Sequence, residues 1–157
     1  MKKFPPERIV CLTEETVETI YLLGEEKRIV GVTGYATRPK RVRNEKPRIS
    51  SFISANIDKI VYLEPDLILA FSDIQSEIVS NLIKKGQSVL CFNQRDIEGI
   101  FNMIQTISNL LDIKQKGINL ISKLKNNIYQ IKNKYHNYNK LKVYFEEWND
   151  PLITGLK

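Results

Sequence analysis

The strongest constraint on the fold is a run of five apolar residues, Leu67-Ile68-Leu69-Ala70-Phe71, with no polar interruption. The run is bounded by Glu64-Pro65-Asp66 on one side and by Ser72-Asp73 on the other. A short, continuous apolar run between such boundaries is typical of a strand that is covered on both faces. Strands of that kind occur in parallel sheets with helices on each side. The run therefore predicts an α/β domain.

Three further runs of β type alternate with helical patterns along the chain. The other predicted strands are Arg8–Leu12, Arg28–Thr33 and Ser88–Phe92. Thr13 and Asp96 are suited to cap the helices that follow the first and last strands. A short helix is predicted over Asn56–Leu63, whereas the segment from residue 34 to residue 55 has no helix signal. Repeated strand-helix units predict a Rossmann-like parallel sheet with right-handed crossovers.

A long helix is predicted over Lys114–Tyr138, which gives it a length of about 37 Å. Its apolar residues recur every three or four positions and form one narrow seam. This pattern is typical of a coiled coil, and a spine that joins two lobes is the alternative. A further strand, Lys142–Trp148, favours the spine. We therefore divide the chain into an α/β ligand-binding lobe (1–112), a connecting helix (113–140) and the start of a second lobe (141–157).

The net charge of +6 does not indicate a nucleic-acid-binding protein. The segment from Ile113 to Phe145 has eight lysines and no acidic residue, so it accounts for the whole excess. Lysine patches without arginine and interleaved aromatic residues are weak evidence for nucleic-acid binding. A second basic cluster, from Arg38 to Arg48, lies in a predicted loop, where we expect solvated surface first and an anion contact second.

The residues that carry chemistry in enzymes are not arranged for catalysis in this sequence. Cys11 and Cys91 lie in separate strands among apolar neighbours, which predicts two buried free thiols. The single histidine, His136, lies in the lysine-rich helix. We find no metal-ligand spacing and no phosphate-binding glycine motif. We therefore predict no catalytic residue, no metal and no covalently bound cofactor.

Aromatic and hydroxyl residues follow the predicted strands. Thr13, Tyr35 and Phe71 come at or after the ends of three strands, and Phe52 lies at a helix entry on the same edge. Ligands of open parallel sheets bind beyond the carboxyl ends of the strands. An aromatic crevice there suits a large, flat ligand that is held by stacking and shape. Each phenylalanine taken alone is about as well suited to the core.

Several segments resemble the substrate-binding proteins of cobalamin, haem and iron-siderophore ABC importers, and the cobalamin-binding branch most of all. The residues that carry the resemblance are Arg8–Gly24, Val30–Tyr35 with Pro39, Asn56–Ile60, Leu63–Ala70, Gly86–Val89, and Val143–Trp148 with Asp150–Gly155. Such proteins consist of two α/β lobes that are joined by a long helix and hold the ligand between them. The resemblance covers nearly the whole chain.

The resemblance implies roles for particular residues. Tyr35, Phe52, Phe71 and Trp148 match the positions of aromatic residues in the cleft of cobalamin binders. Asp58 matches an acidic residue of the first lobe that docks onto the permease, although an exposed acid paired with a nearby lysine explains it equally well. The family's usual proline-serine pair after the first strand is replaced by Glu14-Glu15, which places two negative charges near the mouth of the cleft.

Compared with that family, most of the second lobe is absent, which predicts a piece of a longer protein or a short one that borrows its other half. The resemblance implies an extracytoplasmic location, but the first residues, Met1–Pro6, show no signal peptide, so a cytoplasmic location stays open. The implied partners are an ABC permease, cobalamin or a related small molecule, and either a missing lobe or a second copy of the chain. A haem or iron-siderophore binding protein is one alternative, a helix-mediated module that forms homodimers is another, and an enzyme is the least favoured class.

Overall fold

The structure, a computed structural model, describes residues 4–146 and 148–153, with only the backbone given for Trp148 and Ile153. The strands are β1 (Ile9–Cys11), β2 (Ile29–Thr33), β3 (Arg48–Ser50), β4 (Leu67–Phe71), β5 (Val89–Phe92), β6 (Trp148–Asn149) and β7 (Leu152–Ile153). The α-helices are α1 (Glu14–Leu22), α2 (Val42–Glu45), α3 (Ile57–Tyr62), α4 (Ser76–Lys84), α5 (Ile97–Leu110) and α6 (Lys114–Lys134). Two short 3-10 helices cover Glu26–Arg28 and Asp73–Gln75.

Strands β1 to β5 form one parallel sheet in the order β3-β2-β1-β4-β5. The central strand β1 pairs with β2 on one side and with β4 on the other, with Val10 opposite Ile68. The predicted fold class is therefore confirmed. The order of strands reverses between β1 and β4, and this reversal creates a crevice at the carboxyl edge of the sheet.

The apolar strands bury their side chains on both faces of the sheet, as the sequence predicts. Ile9 and Cys11 belong to one hydrophobic cluster, which also contains the buried hydrophobic residues of α1 and α5. Val10 and Leu12 belong to a second cluster, which includes Ile60 of α3 and the buried residues of α4. The alternation follows from the two-residue period of a strand. A sheet buried in this way gives the residues at its edge a rigid base.

The predicted irregular segment contains two elements that the sequence pattern missed. Helix α2 has only four residues, and β3 extends the sheet on the far side of β2. Gly34 N–H donates to the carbonyl oxygen of Ser50 at 2.7 Å. Because Ile49 is the only buried residue of β3, the strand has no apolar alternation to detect. Pairing with β2 defines it instead.

Helix α6 begins at the predicted residue but ends at Lys134 rather than at Tyr138. The first part of its apolar seam packs on the core of the sheet domain through Leu120, Ile121, Leu124 and Ile128. Ile131, Tyr135 and Tyr138 are exposed. The first part of the seam therefore packs within the domain, and the second part is left exposed. The assignment of residues 113–140 as a connection between lobes stays a prediction.

The end of the chain differs from the predicted strand Lys142–Trp148. Residues 141–146 have no strand pairing in the described structure, and their large apolar side chains are exposed. A short antiparallel pair, β6 with β7, follows. Glu147, Thr154 and Gly155, which contribute to the family resemblance, lie outside the described residues. The boundary at residue 141 stays a prediction.

Among the described residues, no helix has the length and apolarity needed to cross a bilayer.

Candidate functional site

A groove of about 580 Å³ lies at the carboxyl edge of the sheet. Its lining residues are Glu14, Glu15, Thr33, Tyr35, Phe52, Phe71 and Gln94. These residues come from the ends of all five parallel strands or from the segments that follow them. Glu14 and Glu15 follow β1 and Phe71 ends β4, and the strand order reverses between these two strands. The groove therefore lies where open α/β sheets bind ligands.

Three of the aromatic residues predicted from the sequence line this groove together. Tyr35 is 59% exposed and Phe52 is 36% exposed, while Phe71 at the end of β4 is half-buried. Their rings are therefore available to a ligand and are not consumed by the core. The guanidinium carbon of Arg95 lies 5.6 Å from the centre of the Phe71 ring, which extends the stacking surface at the rim.

A buried glutamine that the sequence analysis missed holds the floor of the groove. Gln75 is fully buried. Its side-chain oxygen accepts a hydrogen bond from Phe71 N–H at 3.0 Å, and its amide nitrogen donates to the carbonyl oxygens of Leu12 and Phe52 at 3.2 and 2.9 Å. One side chain thus joins β1, β4 and the segment after β3. A lone glutamine in a helical pattern gives no signal of this role.

Thr13 does not occupy the predicted position in the groove. The structure buries it completely, and its hydroxyl lies 3.3 Å from the hydroxyl of Thr16. It precedes α1 but its side chain makes no capping hydrogen bond. The burial of the end of β1 under the first turn of α1 explains the difference. Thr33 and Gln94, which the sequence analysis did not select, line the groove instead.

Two other predicted site residues, Asp58 and Trp148, are not among the described residues that line the groove. Asp58 is on α3 with its side chain 91% exposed, and its carboxylate is 3.8 Å from the ammonium group of Lys85. It does not line the groove. The side chain of Trp148 lies outside the described part of the chain, so its role in ligand binding stays a prediction. The docking role of Asp58 stays a prediction as well.

The basic loop between β2 and β3 is largely engaged in the structure of the domain. Arg41 forms ion pairs with Glu26 and Glu45, both at 3.0 Å. Arg38 forms an ion pair with Glu18 at 3.2 Å. Lys46 donates to the carbonyl oxygen of Ile29 at 2.8 Å, and burial lowers the pKa of its ammonium group. These contacts support the first expectation, solvated surface, over a dedicated anion site.

The two cysteines differ in exposure. Burial raises the pKa of the Cys11 thiol to about 12, so this thiol stays protonated at neutral pH. Cys91 is exposed on the edge strand β5, which corrects the prediction that both thiols are buried. Strand β5 has a neighbour on one side only, and this leaves its side chains partly open.

In the part of the chain that the structure describes, no group of three or more His, Cys, Asp and Glu residues could hold a metal ion.

A second concavity, of about 690 Å³, lies beside the open edge of β5. It is formed mainly by α4 and the end of β5, with Val79, Ile83 and Phe92 as its larger apolar residues. The aromatic groove is the stronger candidate site because it collects residues from all five strands at the point where the strand order reverses.

Comparison with known proteins identifies the family. Residues 9–156 match the family model described as periplasmic binding protein, and the chain belongs to that family. This confirms the resemblance predicted from the sequence.

The similar proteins include a vitamin B12-binding protein and an ABC transporter substrate-binding lipoprotein, each from a bacterium. The vitamin B12-binding protein of Vibrio vulnificus strain YJ016 is 24% identical over 151 residues, which cover 96% of this chain and 55% of that protein. The uncharacterized ABC transporter substrate-binding lipoprotein YvrC of Bacillus subtilis is 28% identical and is covered over 50% of its length. The chain thus spans about half the length of the curated relatives it matches.

The crystal structure of the periplasmic vitamin B12 binding protein BtuF of Vibrio cholerae has the same fold. It superposes with a TM-score of 0.82 at 23% identity and covers 97% of this chain and 60% of that one. The sheet and helices described above therefore have a counterpart in part of that structure.

Proposed function

We propose that this chain is part of the substrate-binding component of an ABC importer and that its aromatic groove binds cobalamin or a related corrinoid. The observation that carries the proposal is the convergence of Tyr35, Phe52 and Phe71 at the reversal point of the sheet. Family membership supports a binding role rather than an enzymatic one. The similarity to vitamin B12-binding proteins supports a corrinoid as the ligand.

The chemistry of the groove suits a large ligand with both apolar and polar edges. Aromatic side chains provide contact area at low conformational cost, because a ring has only two side-chain torsions to fix. Gln75 holds the backbone of Phe52 and Phe71 in place, so their positions are set before a ligand arrives. A groove of about 580 Å³ can cover one part of a corrinoid. The remaining contacts would come from Trp148 and from a second lobe facing the groove.

The exposed carboxylate of Asp58 supports a docking role toward an ABC permease. Its side chain is 91% exposed and it is 3.8 Å from Lys85, so it can exchange this weak surface pair for a cation on another protein. We place the protein outside the cytoplasm on the basis of the family. Haem or an iron-siderophore is the alternative ligand class.

Titration with cyanocobalamin tests the proposal, with isothermal calorimetry and the fluorescence of the single tryptophan as readouts. We expect saturable binding, and we expect Tyr35→Ala to raise the dissociation constant by about fivefold because a stacking ring contributes about 1 kcal/mol. Tyr62→Ala is the matched control, since Tyr62 is 85% exposed on α3 and does not line the groove. The lack of a response to cobalamin, haem and ferric chelates would reject the proposal.

A further inference from the structure

We propose that Glu14 and Glu15 make the groove select ligands by charge, so that it accepts neutral or cationic faces rich in carboxamide groups and rejects faces that carry carboxylates. This inference rests on the proposed function and specifies the ligand class of the same site. It concerns two side chains of this chain and the space they line.

The two glutamates are part of the groove wall. Both lie in the first turn of α1, directly after the end of β1, and both line the groove beside the aromatic residues. Glu14 is exposed and Glu15 is half-buried. The side-chain amide of Gln94 donates to the Glu15 carboxylate at 3.4 Å. This contact holds one of the two charges toward the residues that a ligand would touch.

Within the described part of the chain, no cation lies close enough to Glu14 or Glu15 to form an ion pair. Glu18, one turn further along α1, pairs with Arg38 at 3.2 Å. Among the described residues, Glu14 and Glu15 have no lysine or arginine partner within 4.0 Å. Arg95, which lies over the Phe71 ring, is paired with Asp73 at 3.5 Å. The groove therefore presents a net negative wall.

Glu14 and Glu15 reverse the usual ligand preference of this part of the fold, which is a preference for anions. The beginning of a helix at the carboxyl edge of a parallel sheet normally attracts anions, because its first N–H groups have no partners within the helix. Two carboxylates in the first turn of α1 occupy that favourable environment. An anionic group of a ligand would meet repulsion there instead of attraction.

The other polar atoms of the wall are compatible with ligand donors. The hydroxyl of Tyr35 can accept hydrogen bonds, and the two carboxylates act only as acceptors when ionised. Glu14 and Glu15 can therefore accept hydrogen bonds from carboxamide N–H groups and repel ligand carboxylates, whereas the Tyr35 hydroxyl, which can also donate, does not discriminate. The aromatic rings supply affinity without regard to charge. Glu14 and Glu15 then determine which of several ligands of similar shape binds with the higher affinity.

A matched pair of ligands tests this inference. Cyanocobalamin and its singly hydrolysed derivatives, in which one peripheral amide is a carboxylate, differ little except in charge. At low salt, we expect the unmodified chain to bind the amide form about fivefold more tightly than at least one carboxylate derivative. This preference should shrink as salt is added, because exposed charges are screened.

The double variant E14Q/E15Q should bind both forms with nearly equal affinity and without this salt dependence. Glu77→Gln is the matched control, because Glu77 is also exposed in the first turn of a helix but does not line the groove. It should keep the full preference. Equal affinity of the unmodified chain for all forms, or an unchanged preference in the double variant, would overturn the inference and leave the proposed function intact. If no corrinoid bound to any variant, the assignment of a corrinoid as the ligand would fail, and this inference with it.

Discussion

At the scale of single residues, one buried polar side chain holds the backbone beneath the groove. Gln75 makes three hydrogen bonds to backbone groups of three separate segments. Buried N–H and C=O groups need partners, and a missing partner costs the desolvation of the group that remains. Gln75 is therefore a positioning residue for Phe52 and Phe71, while those two side chains face the ligand space.

Replacing Gln75 with leucine should lower the free energy of unfolding by about 2–4 kcal/mol, because the Phe71 N–H and two carbonyl oxygens lose their partner. Urea denaturation followed by circular dichroism measures this change. Gln115→Leu is the control, since Gln115 is exposed on α6, and it should change stability by no more than about 0.5 kcal/mol. Equal stability of the two variants would show that Gln75 does not hold these segments.

At the scale of elements, the packing of α5 against α6 explains why the long helix lies on its own domain. Gly117 is buried in the first turn of α6, directly against Ser108 of α5. A Cβ atom built at Gly117 would lie 2.5 Å from the Cβ atom of Ser108. Only glycine permits this close approach. Further along, Leu120, Ile121, Leu124 and Ile128 continue the contact with the core.

Gly117→Ala should therefore destabilise the protein, although alanine is the better helix former by about 1 kcal/mol. We expect a net loss of about 1–3 kcal/mol from overpacking between α5 and α6. Thermal unfolding of a double-mutant cycle with Ser108→Gly measures the coupling, because the second change removes the atoms that collide. Losses of stability that simply add in the double variant would contradict this explanation.

A charged contact also joins α6 to the segment after α1. Glu25 accepts hydrogen bonds from Lys116 at 2.7 Å and from Arg28 at 2.8 Å. Burial alone would raise the pKa of Glu25, but these two cations lower it below its ordinary value of 4.5. A carboxylate with a lowered pKa in the folded state stabilises the fold above its unfolded pKa, and this contribution is lost as the pH falls through the folded pKa.

The free energy of unfolding should thus fall as the pH decreases below about 4.5, and the fall should be smaller in Glu25→Gln by about 1 kcal/mol. Urea denaturation at a series of pH values between neutral and strongly acidic measures the difference. Lys116→Met should reduce the same pH dependence, because it removes one of the two cations. An identical pH profile in all three proteins would mean that this contact does not contribute.

At the scale of the whole molecule, one edge of the sheet carries the groove, and α3 carries the exposed acid proposed for docking. The groove collects residues from the ends of all five strands, while Asp58 is not among its lining residues. Ligand binding and docking would therefore use different residues. This separation allows each function to be changed without altering the other.

Asp58→Asn should leave folding and cobalamin affinity unchanged, because the carboxylate is exposed and has only a distant surface pair with Lys85. We expect the variant to dock more weakly on a cobalamin ABC permease, with a several-fold loss in stimulated ATP hydrolysis. Asp58→Glu keeps the charge and is the control. Full stimulation by Asp58→Asn would remove the docking role and leave the surface ion pair as the explanation.

The sequence determined the elements whose signal is local. The apolar run Leu67–Phe71 predicts a strand buried on both faces, and the alternation of strands with helices predicts the parallel sheet. Because the carboxyl ends of such strands lie together, the sequence alone groups Tyr35, Phe52 and Phe71 at one edge of the sheet. The acidic pair Glu14-Glu15 directly after the first strand is also visible in the sequence.

Only the tertiary structure decided features that depend on partners distant along the chain. Strand β3 exists because β2 supplies its hydrogen bonds, since a three-residue strand has too few side chains for a pattern. Thr13 is covered by the first turn of α1, whereas Cys91 is exposed because β5 lies at an edge of the sheet. Neither exposure follows from local composition. The role of Gln75 depends on backbone groups up to 63 residues away. Periodicity reports which face of an element is apolar, but burial and polar partners are set by what packs against that face.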